Sequence, residues 1–186
     1  MEDRRVQAVE DRLAKLEELK RRGIEPYGYR YEVTQRTSAA RRLFEEQEQQ
    51  GALEADGSGS RVRVAGRIQS IRSHGKTVFA DLADRDGRLQ LFLRANDLGE
   101  AFAALELLDP GDWLGAEGVL FRTRTGEVSV RVSAFELLSK SVRPLPFGKE
   151  EVDGATGEKR VYGGFADVEQ RYRQRYVDLI VNEETR

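Results

Sequence analysis

From Arg61 onward the apolar residues recur at every second position, and this alternation constrains the fold more than any other property of the chain. Val62 and Val64 alternate with Arg61 and Arg63, and Ile68 and Ile71 carry the strand past Gly66, where the missing side chain predicts a bulge or bend. SHGK (73–76) reads as a turn. Val78, Ala80 and Leu82 then alternate with Thr77, Phe79 and Asp81, DRDG (84–87) turns the chain, and Leu89, Leu91 and Leu93 alternate with Arg88, Gln90, Phe92 and Arg94. This is a three-stranded meander with one apolar face. A short helix from Asn96 or Asp97 follows, with Leu98, Phe102, Leu105 and Leu108 inward, ended by DPGD (109–112). Two further strands, Trp113 to Arg122 and Glu127 to Leu137, are joined through TRTG, with Val128, Val130 and Val132 inward.

The flanks have a different period. Residues 4–22 place Val6, Val9, Leu13, Leu16 and Leu19 at three- and four-residue steps, which predicts an amphipathic helix closed by Gly23. IEPYGYRYEVT, with its proline, glycine and three tyrosines, predicts an extended segment docked onto another part of the chain. Thr37 or Ser38 can cap a second helix running to about Gln50, with Leu43 and Phe44 as its apolar contacts, and ADGSGS (55–60) reads as a flexible joint. After the last strand, LLSKSVRPLP is a proline-marked exit. FGKEEVDGATGEKRVYGG (147–164) reads as a polar loop with a small hairpin about ATGE. Val168, Tyr172, Tyr176, Leu179 and Ile180 fall at helical spacing over 167–182. The expected organisation is therefore a helical extension and linker over 1–60, a strand domain over 61–143, and a linker and helix over 144–186.

Strand, strand, strand, helix, strand, strand within about 80 residues is the order of a five-stranded OB barrel, a mainly β fold with α elements whose strands 2 and 3 and loops 1–2 and 4–5 bind oligonucleotides. Composition narrows the chemistry further. The absence of cysteine excludes disulfides, thiol nucleophiles and Cys-based metal sites and suits a reducing cytoplasm, and a single histidine excludes a multi-histidine metal site. The apolar runs are a handful of residues, far short of the roughly 20 of a membrane span. No phosphate-cradling GxxxxGK[ST] and no GxGxxG occurs, so catalysis has no visible seat. The net charge of −2 hides a local imbalance: residues 61–94 hold eight basic against three acidic side chains, the footprint of a phosphate backbone or of a solvated arginine-rich face.

If the alternating aliphatic residues fill the barrel, Phe79, Gln90 and Phe92 face outward with Arg88 and Arg94. An outward aromatic beside an amide and several guanidiniums fits a platform on which an unpaired base stacks, worth roughly 1–3 kcal/mol per base. Phe79, next to Arg72 and the 1–2 loop, is read as a binding residue; Phe92 is read as covered by the N-terminal helices. The 4–5 loop offers Arg122, Thr123, Arg124 and Thr125 for backbone contacts and Glu127 as an acceptor for an exocyclic amine, or forms an ordinary charged hairpin. His74 reads as a turn residue, and RYRQRY as a solvated helix face.

LEELKRRGIEPYGYRYEVT, RVAGRIQSIRSHGKTVFADLADRDGRLQLF, FRTRTGEVSVRV, LLSKSVRPLP and RYRQRYVDLIVNEETR together resemble the N-terminal part of bacterial class II lysyl-tRNA synthetases. The barrel pattern alone is shared with the aspartyl and asparaginyl enzymes; the flanking RTRTGE, SKSVRPLP and YRQRYVDLI runs point to lysine. The resemblance implies that the barrel binds the anticodon of tRNA(Lys), that Phe79 stacks on its central uridine, that Gln90 and Arg72 hydrogen-bond that base, and that Glu127 helps read a neighbour. It implies supporting helices at the N-terminus and a hinge helix from Tyr172 to Ile180 leading to a catalytic domain. The family's three catalytic motifs do not occur, and the 147–164 loop exceeds the short linker of the family. The expectation is thus an anticodon-binding part, inactive alone and without a cofactor of its own, of a homodimeric enzyme that uses ATP and Mg2+. A freestanding barrel for single-stranded nucleic acid, the corresponding aspartyl or asparaginyl domain, and a remnant that binds a partner through the 167–182 helix stand as alternatives.

Overall fold

Each strand after Arg61 carries its aliphatic side chains on one face, and curling the sheet into a closed ring is what removes that face from water. The computed structural model describes residues 2–152, 159–162 and 164–185. They form two compact units, 1–143 and 144–186.

In the first unit β1 (Arg61–His74), β2 (Thr77–Ala83), β3 (Arg88–Arg94), β4 (Trp113–Arg122) and β5 (Val128–Ser139) close into a barrel in the order β1-β2-β3-β5-β4. All pairings are antiparallel except β3 with β5. This is the expected OB order. β1 serves two neighbours: Arg61–Arg67 pair with β4 and Arg67–His74 with β2. The register shift falls between Ile68 and Ser70, not at Gly66. Gly66 has another cause, since a Cβ there would stand 2.5 Å from the Ala83 carbonyl oxygen, so the glycine permits a close strand approach. Val62, Val64, Ile68, Leu82, Leu89, Leu91, Leu93, Leu114, Leu120 and Val130 are almost wholly withdrawn from solvent. Between β3 and β4 run α3 (Ala95–Leu98) and a 3-10 helix (Gly99–Leu107), which add Leu98, Leu105 and Leu107 to the same core.

Two helices precede the barrel, α1 (Glu2–Arg21) and α2 (Thr37–Gln49). α1 ends as expected: Gly23 adopts φ 71°, and the Ile24 N–H reaches the Leu19 carbonyl at 2.9 Å. Its apolar stripe is only half used. Leu16 and Leu19 are buried, Val6 and Leu13 are exposed, and Arg12 is buried instead. The reason lies far along the chain: Arg12 donates to the carbonyls of Pro110 at 2.8 Å and Ser141 at 2.9 Å. Beside it a buried ionic cluster joins distant segments. Lys140, fully enclosed, donates to Asp112 at 2.9 Å, Asp109 at 2.5 Å and the Leu107 carbonyl at 2.7 Å, while Lys15 reaches Asp109 at 2.7 Å.

The tyrosine segment docks through its backbone, the Gly28 N–H on the Leu138 carbonyl at 2.9 Å and the Lys140 N–H on the Pro26 carbonyl at 3.0 Å, and through one ring. Tyr31 lies where a Cβ on Gly115 would be and beneath the Arg63 guanidinium at 4.8 Å, whereas Tyr27 and Tyr29 are exposed. ADGSGS is no flexible joint. The Gly59 N–H reaches the Leu120 carbonyl at 2.7 Å, and Ser58 is buried with its N–H and hydroxyl on the Asp56 carboxylate. Arg131 meets that carboxylate at 3.0 Å. Ser58 first, then Arg131, hold the Asp56 carboxyl at about 2.

In the second unit β6 (Lys149–Val152) pairs antiparallel with β7 (Lys159–Tyr162). The expected hairpin tip, ATGE, lies outside the described residues. The final helix is broken, α4 (Val168–Arg173) and α5 (Arg175–Val181) meeting at Gln174 with φ −119° and ψ 54°. Around the break Asp178, fully buried, gathers Arg171 at 2.8 Å, Arg175 at 2.6 Å and Asn182 at 2.7 Å. The expected stripe of Val168, Tyr172, Tyr176 and Leu179 is exposed, and Phe165 and Val177 are buried instead.

Candidate nucleic-acid interface

Strand register, not proximity in sequence, assembles the outer face. Because β-strand side chains alternate, the residues flanking each buried aliphatic stand on the opposite surface. Register places Ser70, Asp81, Gln90 and Ser129 in one row across β1, β2, β3 and β5, and Arg72, Phe79, Phe92 and Arg131 in the next. One row is polar and the other is aromatic between two guanidiniums.

Phe79 and Phe92 are cross-strand partners with ring centroids 5.0 Å apart and planes tilted by 40°. Phe121 of β4 continues the cluster, 5.5 Å from Phe92, and the Arg94 guanidinium lies over the Phe92 ring at 5.4 Å. Phe92 is therefore half-buried among outer-face side chains. Phe79 ends the aromatic row nearest to Arg72 and the 1–2 turn, and it keeps partial exposure. A ring supported by another ring presents a rigid apolar surface, the property a stacking platform needs.

The polar row is interlinked. Ser129 donates its hydroxyl to Gln90 Oε1 at 3.0 Å, which fixes the amide so that its NH2 points away from that bond. Arg72 makes two bonds to Asp81, at 3.0 and 3.3 Å, and a third to the Ser70 hydroxyl at 3.3 Å. Ser70 in turn donates to Asp81. Guanidinium, amide and ring thus occupy adjacent positions on one surface.

The 4–5 loop is held from the side by α2. Arg41 donates to the Glu127 carboxylate at 3.0 Å and to the Arg88 carbonyl at 3.1 Å. Arg122 forks onto Glu48, with Nε at 2.9 Å from the carboxylate, and covers the Phe44 ring at 5.5 Å. Arg122 therefore faces α2. Arg88 and Arg124 are exposed, Arg124 at the tip of a turn closed by the Gly126 N–H on the Thr123 carbonyl at 2.9 Å. The structure brings Arg72, Phe79 and Gln90 together, sets Glu127 and Arg124 along the same barrel through the loop, and turns Arg122 away. His74 is exposed beside its turn. Arg171, Arg173 and Arg175 of RYRQRY pair with Asp178 and Glu169 of their own unit.

Sequence reasoning passed over Asp81, Ser70, Ser129 and Arg41. For the first three the signal was present, since by the same alternation they share the parity of Phe79 and Gln90, although Ser129 is buried on that side. Arg41 carried none, because its partner is 86 positions away. Among the described residues no group of acidic or histidine side chains is placed to hold a metal ion, and no helix is long and apolar enough to cross a membrane.

Residues 62–138 match the family model of an OB-fold nucleic acid binding domain, the tRNA anti-codon model. Barrel order, outer-face chemistry and that match define the domain as one of the OB-fold nucleic-acid-binding class. More particularly, the chain is similar over nearly its whole length to lysine–tRNA ligases. It is 48% identical over 94% of its length to the lysine–tRNA ligase of Moorella thermoacetica. It is 46% identical over 94% to that of Methanoculleus marisnigri and 45% identical over 96% to that of Carboxydothermus hydrogenoformans. The chain spans about a third of the length of these curated relatives, 31% of the first two and 32% of the third.

Proposed function

We propose that this chain binds tRNA(Lys) by its anticodon loop on the outer face of β2 and β3, and that it does so as the anticodon-binding part of a lysine–tRNA ligase. The observation that supports this reading most directly is the Phe79 ring, backed by Phe92 at 5.0 Å and flanked by Arg72 and Gln90 within the matched domain. Unpaired anticodon bases are splayed from their helix and offer a π-face and free edges. Phe79 takes the face of the central uridine. Gln90 and Arg72 take its edge, Glu127 accepts from a neighbouring base, and Arg88 and Arg124 lie where phosphates pass. Lysine activation with ATP and Mg2+ and transfer to the tRNA, in a cytoplasmic homodimer, belong to the longer protein in this reading and use residues outside these 186.

The test is binding of a lysine-anticodon stem-loop to the wild-type chain and to Phe79→Ala, measured by fluorescence anisotropy at fixed salt. Removing the ring should weaken binding by roughly 1–3 kcal/mol. Equal affinities would defeat the assignment.

A further inference from the structure

The Arg72 guanidinium is occupied by a carboxylate on the face proposed for RNA. Asp81 lies between Ser70 and Gln90 in the polar row, two residues from Phe79 on the same face of β2. It takes two N–H bonds from Arg72, at 3.0 and 3.3 Å, and the hydroxyl of Ser70 holds the carboxylate in place. Its side chain is 28% exposed and that of Arg72 is 49% exposed, so the pair is open to a ligand. A bare guanidinium here would seek the nearest phosphate, because attraction to the backbone charge is a large part of nucleic-acid binding and is indifferent to sequence. An arginine neutralised by a fixed carboxylate gains little from a phosphate. Its remaining N–H donors stay directed by the ion pair toward the acceptors of a base edge.

Resting on the anticodon-binding reading, we propose that Asp81 is a specificity-determining residue: it withholds the Arg72 charge from the RNA backbone and holds the guanidinium for a base beside Phe79. Asp81 touches no base in this account; it acts through Arg72.

The experiment uses the 186-residue chain, the Asp81→Asn variant and the Asp81→Asn/Arg72→Gln double variant, with two RNAs, a lysine-anticodon stem-loop and the same stem-loop with the central anticodon base replaced. Affinities are measured across a salt series. Asn keeps the shape and an acceptor but not the charge. In Asp81→Asn the freed guanidinium should add about one backbone contact, steepening the slope of log K against log salt by roughly 0.7. The ratio of affinities for the two RNAs should fall by roughly tenfold, the discrimination carried by one well-aligned base contact. The double variant should return to the wild-type slope and keep the reduced ratio. An unchanged ratio and slope in Asp81→Asn overturns the proposal, and so does equal weakening of both RNAs at unchanged slope, which marks Asp81 as a support of the strand pair alone. A wild-type chain that does not distinguish the two RNAs would instead overturn the anticodon reading beneath it.

Discussion

At the residue scale, a buried ionic cluster is the part of this unit most sensitive to the loss of a single group. Lys140 and Asp112 are fully buried and 2.9 Å apart. Asp112 also accepts the Ser141 N–H and the Asp109 N–H, each at 2.8 Å. Removing one partner of such a pair leaves the other charge desolvated, which costs more than the pair itself contributes. Lys140→Met should lower stability by about 3–5 kcal/mol in urea unfolding at neutral pH; a change within experimental error would show that the cluster is relieved by solvent. Asp109 adds a pH dependence. Burial pushes its carboxyl up, but Lys140 and Lys15 hold it below the ordinary carboxylate value. Its contribution is therefore complete above about pH 4, the unfolded value, and lost as pH falls through the lower folded one. Wild type should lose stability more steeply below pH 4 than Asp109→Asn, as read from unfolding midpoints over a pH series.

At the scale of elements, α2 acts as a brace between the strand 2–3 turn and the 4–5 loop. Its first turn has no cap of its own. Arg36 at the N-cap position makes no side-chain bond, and the Asp84 carboxylate from the β2–β3 turn takes its place, accepting the Thr37 N–H at 2.9 Å and hydroxyl at 2.7 Å. The same carboxylate accepts the N–H groups of Asp86 and Gly87, so one side chain shapes a turn and starts a helix. Burial pushes the Asp84 carboxyl up, and these bonds hold it below its usual range. Asp84→Ala should cost about 1–2 kcal/mol of stability in urea unfolding and loosen the hold of Arg41 and Arg122 on the loop.

What could be read in the chain divides along the same line. The barrel strands were legible because alternation is local: Val78, Ala80 and Leu82 declare a buried face without knowledge of any partner, and Phe79 and Gln90 are outward by the same parity. Positions set by distant partners were not. Arg12 sits among hydrophobic neighbours on α1 as a charge that should face water, and only the carbonyls at Pro110, Ser141 and Arg143 explain its burial. ADGSGS has the composition of a linker and is pinned by Leu120 and Arg131. The helix break at Gln174 has no proline or glycine to announce it; Asp178 and the side chains it gathers accompany it. At the candidate interface the ring and amide were visible, whereas the Asp81 grip on Arg72 required the strand register and the grip of α2 on Arg122 the packing of a helix 74 positions away.

For the molecule as a whole, the proposed contact with the unpaired bases lies on one surface of the 1–143 unit and involves neither α1 nor the 144–186 unit. Titration of a lysine-anticodon stem-loop into the isotopically labelled chain, followed by amide and side-chain NMR, tests that claim directly. The largest shifts should arise at Arg72, Phe79, Gln90 and the 123–127 turn, with the Phe79 ring protons moving upfield as a base stacks on them. Shifts centred on α1 or on residues 164–185, with the outer face of β2 and β3 unmoved, would contradict it.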